Sequence, residues 1–272
     1  MFSGFNKVDE ERRYSSAASY LPFAGQIGCD GGLAELRPTY GVHEDEVADS
    51  LRQLISKIPE KIGQTKGLSY EAHSYYSDLA AGFHVHIGLP PEMVHTKNTF
   101  HKAAVEYLVR CLDWYVSSLA APLEINPKRR CSESGYGQPG DYRMSNYTLE
   151  YRTPGGILLR GPTLARGLLG ACLLVAEHFV NRVLPSSREL LDLDKLTPDD
   201  LSTALPIPRP ALIRHALRDP KLELLNKALP RIVSTLRGMP EYDKHSPGVE
   251  EFIRVVEARK LPTPNIMDNW RR

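Results

Sequence analysis

Three short apolar runs in this sequence each carry a polar residue at one position and another two places on: Glu35 and Arg37 in AELRP, His84 and His86 in FHVHI, Glu150 and Arg152 in LEYRT. In an extended strand alternate side chains share a face, so each pair points one way and its apolar neighbours the other. Ionisable groups turned inward on a strand cost free energy unless they meet one another or a ligand. Three such strands therefore favour a sheet with one apolar face on a core and one polar face lining a shared cavity. Taken singly, the Glu–Arg pairs also fit ordinary cross-strand ion pairs on a solvated face, which contribute little. A fourth segment, GQPGDYR, brings Asp141 and Arg143 just ahead of the third strand, where a loop can overhang the same sheet. Two Glu, two His and three Arg suit a divalent cation and, separately, an anion.

The remaining pattern supplies helices to cover the apolar face. From His43, residues Val47, Leu51, Leu54, Ile55 and Ile58 recur at helical spacing behind an acidic first turn, with Pro59 as the stop. A second helix is predicted from an Asn98 cap, turning Val105, Leu108, Leu112, Tyr115 and Leu119 to a core. The stretch from Thr163 to Leu184 is a third, with Gly167 and Gly170 allowing close packing on the sheet. Gln26 to Gly32 and Leu33 to Arg37 are extended pieces around a glycine turn that Asp30 shapes. GLSYEAHSYY, Gly67 to Tyr76, reads as a strand beside the HVH strand. From Asn126 to Asn146 glycine, serine and basic residues accumulate, which predicts a long surface loop with Lys128, Arg129 and Arg130 on its solvated edge. Beyond Leu184, Pro185, Pro198, Pro206, Pro208, Pro210, Pro220 and Pro230 punctuate helical patterns such as ALIRHALR and are expected to mark helix starts. The expected fold is α+β: a curved antiparallel sheet backed by helices over residues 1–184, then a helical C-terminal appendage over 185–272.

Composition narrows the function classes. With 272 residues, 42% of them hydrophobic, the chain can build a core without disulfides or metal. A formal net charge of +1 offers no field for nucleic acid, and Lys128 to Arg130 is too short for a polybasic arm. Four cysteines without a CxxC suggest reduced thiols and a cytoplasmic location. MFSGFNKVDEERRYSS lacks an apolar signal core and no run of about 18 apolar residues occurs, so no membrane partner is expected. G-x-x-x-x-G-K-[ST] is absent, which excludes a P-loop enzyme. HxH followed by Glu92 loosely matches a cupin-type metal motif, but the prolines of GLPPE interrupt the strand. The scattered His43, His73, His95, His101, His178, His215 and His245 are expected to be structural or exposed.

GCDG…AELRP, AGFHVHIG and YGQPGDYR…LEYRTPGG, in that order between Gly25 and Leu184, resemble the carboxylate-amine ligases of the glutamine synthetase and glutamate-cysteine ligase superfamily, most closely the type 2 family of phages and bacterial genomes. The resemblance implies a glutamine synthetase-like open funnel with ATP at one end and metal in the middle. It implies Glu35, His84 and Glu150 as metal ligands, His86 as a contact to nucleotide phosphates, and Arg37 as the charged companion of Glu35. Arg152 would bind phosphate or substrate carboxylate, and Arg143 the transferring phosphoryl group. The implied reaction joins a small-molecule or peptide carboxylate to an amine, using ATP and Mg²⁺, or Mn²⁺ in its place, through an acyl phosphate. Phosphoryl transfer asks a protein mainly for cations and alignment, which this inventory supplies. The acidic glycine-aspartate-proline-glutamate strand that begins the family's chains has no counterpart before Gly25, where Glu10 and Glu11 lie in KVDEERR. A non-catalytic ligase-like assembly or regulatory protein is accordingly the alternative, and the superfamily's rings and dimers imply a homo-oligomer interface as one role for the C-terminal helices.

Overall fold

A computed structural model of the chain describes residues 25–30, 33–62, 69–94, 99–131, 136–145, 147–184 and 205–271. The fold is α+β. Strands β1 (Gln26–Asp30) and β2 (Leu33–Arg37) pair antiparallel, with Gln26 opposite Arg37 and Gly28 opposite Glu35. Helix α1 (Glu44–Ile62) follows, its first turn carrying Glu44, Asp45 and Glu46 where the helix dipole favours negative charge. The short strands β3 (Tyr75–Tyr76) and β4 (Leu79–Ala80) pair with each other. Then come β5 (Val85–Gly88), α2 (Pro91–Val94) and α3 (Thr99–Leu112), which runs on through a wider π turn, Asp113–Ser117. Helix α4 (Lys128–Cys131) precedes β6 (Tyr142–Met144) and β7 (Thr148–Tyr151). Strands β5, β7 and β6 form an antiparallel sheet in that order, with β7 in the centre. Helix α5 (Pro162–His178) continues as a π segment to Val183, and α6 (Pro210–Arg218), α7 (Glu223–Arg237), α8 (Tyr242–Ala258) and α9 (Ile266–Trp270) complete the order.

One apolar cluster binds these elements. It starts at Val85 and Ile87 of β5 and Leu149 and Tyr151 of β7, passes through Leu108, Leu112, Leu168 and Val175, and reaches Ile213, Leu225, Leu236 and Phe252. Each such fully buried side chain contributes roughly 1.5–3 kcal/mol relative to exposure. Residues 205–271 thus add their apolar faces to the core on which the sheet rests. A second cluster gathers Leu51, Ile55 and Ile58 of α1 with Ile266, Met267 and Trp270, and Ile27 and Leu36 of the hairpin pack against it. Phe83 packs against both clusters. The segment Pro162–Val183 is long and apolar enough to cross a bilayer. Here it is the central core helix, with Leu164, Leu168, Ala171, Cys172, Leu174 and Val175 buried.

Several expectations are corrected. Among the described residues the strands make three separate antiparallel sheets, and β2 does not join the sheet of β5 and β7. Tyr75 and Tyr76 pair with β4, while the HVH strand pairs with β7. Gly167 and Gly170 receive a helix rather than the sheet: a Cβ at Gly167 would collide with Phe252 of α8, and one at Gly170 would lie against Glu44 and Val249. Pro59 lies inside α1, and Pro230 lies inside α7, although Pro162 and Pro210 do start helices. Pro59 falls near the end of α1, where losing one backbone hydrogen bond costs little continuation. The segment 126–146 holds α4 and β6, and Arg129 and Arg130 are buried. Glu10, Glu11, the Gly31 and Gly32 turn, the Asn98 cap, His95, Pro185, Pro198 and the Asp30 and Glu92 side chains lie outside the described residues.

Candidate functional site

The period-two pattern of β5 and β7 is realised in the sheet. Val85, Ile87, Leu149 and Tyr151 are buried on the core face, which leaves His84, His86, Glu150 and Arg152 to the other. Antiparallel register then assembles the cluster. Glu150, on the central strand, lies directly opposite His86 on one side and Arg143 on the other. His84, just ahead of β5, puts Nδ1 3.1 Å from Glu150 Oε1, and Arg152 Nε stands 3.6 Å from the same oxygen. Arg143 Nε donates to Glu150 Oε2 at 2.6 Å. The Glu150 side chain is 4% exposed and that of Arg143 59%, so the carboxylate is the floor and the guanidinium the rim.

Charge in this cluster is set by its neighbours. Burial pushes the Glu150 carboxyl up, but the hydrogen bond from His84 and the charges of His84, His86 and Arg143 outweigh it and hold the group at about 2. Burial lowers His86 to about 4, only partly offset by Glu150, so its imidazole is neutral at pH 7. His86 Nδ1 also lies 3.2 Å from the Thr148 hydroxyl.

A second layer fixes these groups. Asp141 accepts from Arg152 Nη1 at 3.3 Å and, through its other oxygen, from the Gly137 N–H at 2.8 Å. Tyr136 brings its hydroxyl within 3.1 Å of His84 Nε2, and the guanidiniums of Arg129 and Arg152 each lie over its ring, at 5.4 and 5.2 Å. Arg129, 1% exposed, donates to the carbonyls of Thr153 and Arg152 at 2.5 and 2.7 Å and so clamps the end of β7. Gly137 has φ +67°, and a Cβ there would fall on the Arg129 guanidinium, so only glycine fits the crossing. Behind the strand the Tyr151 and Thr153 hydroxyls donate to Asp113 Oδ1 at 2.8 and 2.9 Å.

Of the sequence-predicted residues, His84, His86, Arg143, Glu150 and Arg152 come together. Glu35 and Arg37 stand on the β1–β2 hairpin, where Arg37 Nε donates to Glu35 at 3.0 Å. Tyr136, Arg129 and Asp113 carry no periodic signal; only the position of Tyr136 at the head of YGQPGDYR pointed to it.

The comparison with family models places the chain in the class of carboxylate-amine ligases. The chain belongs to the family described as phage phiEco32-like COOH.NH2 ligase-type 2, whose family model matches residues 5–194. That span contains every candidate from Glu35 to Arg152 and begins well ahead of Gly25. No curated protein and no solved structure is matched.

Proposed function

We propose that the chain is an ATP- and Mg²⁺-dependent ligase that joins a carboxylate to an amine through an acyl phosphate. The observation that carries this reading is Glu150, a buried anion at the centre of a three-stranded sheet, ringed by His84, His86, Arg143 and Arg152. Bound ATP would supply the γ-phosphoryl group, and Mg²⁺ the charge that polarises it.

The donor set fits those groups under one condition. Mg²⁺ prefers oxygen, and both oxygens of Glu150 already face arginines. A cation can take Glu150 only when something anionic takes Arg143 and Arg152 in exchange, and phosphate oxygens are the natural partner of a guanidinium. The residues therefore suit a metal and a polyphosphate that arrive together. Glu150 with His84 would hold the cation, His86 and Arg143 would face the phosphates, and Arg152 would orient phosphate or the substrate carboxylate. Glu35, bound to Arg37 on the separate β1–β2 hairpin, would supply a second carboxylate in this reading.

The test is ADP release by the full-length protein against panels of carboxylates and amines. Release that needs both substrates, and falls at least about 10²-fold in Glu150→Gln, is expected. Nucleotide binding without turnover on any pair would point to the non-catalytic alternative, and turnover indifferent to Glu150→Gln would remove the site assignment.

A further inference from the structure

Away from the sheet, the start of α1 faces the side of α8 beside α5. His43 and Glu44 stand at the head of α1 and His245 on α8, and one donor atom from each lies within 4.8 Å of the others. Glu44 and His245 are fully buried, and the His43 side chain is 31% exposed. The two rings stack at 5.6 Å. Both turn Nδ1 towards one carboxylate oxygen: Glu44 Oε2 is 2.8 Å from that of His245 and 3.5 Å from that of His43. Both turn Nε2 towards an acceptor, His245 to Glu177 Oε2 at 3.4 Å and His43 to the Lys244 carbonyl at 3.4 Å. The Asp45 backbone N–H points at His43 Nδ1 from 3.4 Å, which makes that nitrogen the lone-pair side of the ring.

The 2.8 Å contact of His245 Nδ1 with Glu44 is a hydrogen bond when that nitrogen carries a proton, but His43 Nδ1, which accepts from the Asp45 N–H, turns its lone pair towards two carboxylates, Glu44 Oε2 and Asp45 Oδ2, each 3.5 Å away. The other oxygen of Glu44, Oε1, is buried without a hydrogen-bond partner among the described residues. The nearby cationic side chains are committed elsewhere, Arg166 to Asp45 and Lys244 to Glu177. A proton on His245 would address one contact and leave His43 Nδ1 facing the carboxylate; a divalent cation addresses all three donors. The outer contacts are also those a metal-bound imidazole makes, its far N–H given to a carboxylate or a backbone carbonyl.

We infer that His43, Glu44 and His245 form a second metal site, for a divalent transition ion of the zinc class, pinning the head of α1 to α8. Two nitrogens and one carboxylate select such an ion over Mg²⁺ or Ca²⁺, and a fourth position is left for water. Zinc ligands about 2.1 Å from the ion lie closer together than 4.8 Å, so the side chains draw in on binding, the partly exposed His43 most of all. Glu44 and His245 are 201 residues apart, so the ion would tie distant parts of the chain. None of this depends on the ligase reading.

Zn²⁺ titration of the metal-stripped full-length protein against a chromophoric chelator tests it, run beside His84→Ala to separate out the sheet. One zinc should bind to the parent and to His84→Ala, raising the melting temperature of both. Affinity should fall at least tenfold in His43→Ala and in Glu44→Gln, with far-UV circular dichroism confirming that each is folded. A folded parent that binds no zinc, or variants that bind it as tightly as the parent, would overturn the site.

Discussion

Glu150 and Asp113 are both buried carboxyls beside β7, and their surroundings drive them in opposite directions. Glu150 meets His84, His86 and Arg143 and stays ionised down to about 2. Asp113 lies on the core side, where burial raises its carboxyl to about 7 and the hydrogen bonds from Tyr151 and Thr153 only partly resist. The consequences for stability have opposite signs. Glu150 supports the fold above its unfolded value near 4.5, and that support is lost as pH falls towards 2. For Asp113 folded and unfolded chains are both protonated below about 3.8; as pH rises towards 7 the unfolded chain ionises first, and stability falls. Asp113→Asn, which copies the neutral form, should therefore be increasingly more stable than the parent between pH 4 and 7, by a few kcal/mol at most on the order expected for such a shift. Urea melts of both proteins across that range check it, and parallel pH profiles would contradict it. At this scale the sequence was legible where period two governs: His84, His86, Glu150 and Arg152 follow from alternation. Asp113 and Arg129 were not, because a buried polar residue in a helix is defined by what the tertiary fold brings to it.

The segment between α4 and β7 shows how an element can mislead. Its glycines and basic residues match a solvated loop, yet Arg129 passes under Gly137 to grip two carbonyls at the end of β7. Hydrophilic composition cannot separate a solvated arginine from one whose donors are all needed inside. Arg129→Lys keeps the charge but not the planar fork that reaches both carbonyls. It should cost roughly 1–3 kcal/mol in thermal unfolding and weaken nucleotide binding through the loosened Arg152. Unchanged stability and affinity would show the clamp to be incidental. Helices were more legible: α1, α3 and α5 fall where apolar spacing predicts, because a stripe of buried residues is a local property. What the stripe could not say is which neighbour it meets, so the small faces at Gly167 and Gly170 proved to receive α8.

At the scale of the molecule, motif order carried more than any single motif. The α+β class and the family follow from it, whereas sheet partnership did not, since strand pairing between distant segments leaves no local trace. The C-terminal helices share the core of the sheet through α5 and α8, although the family match ends at residue 194. The proposed function requires one sheet face to bind metal and polyphosphate as a unit around Glu150. Calorimetric titration of ATP with and without Mg²⁺ measures this most directly. Mg²⁺ should tighten ATP binding at least tenfold in the parent, and Glu150→Gln and His84→Ala should lose this gain while remaining folded. Equal Mg²⁺-ATP affinity in parent and variants would contradict it.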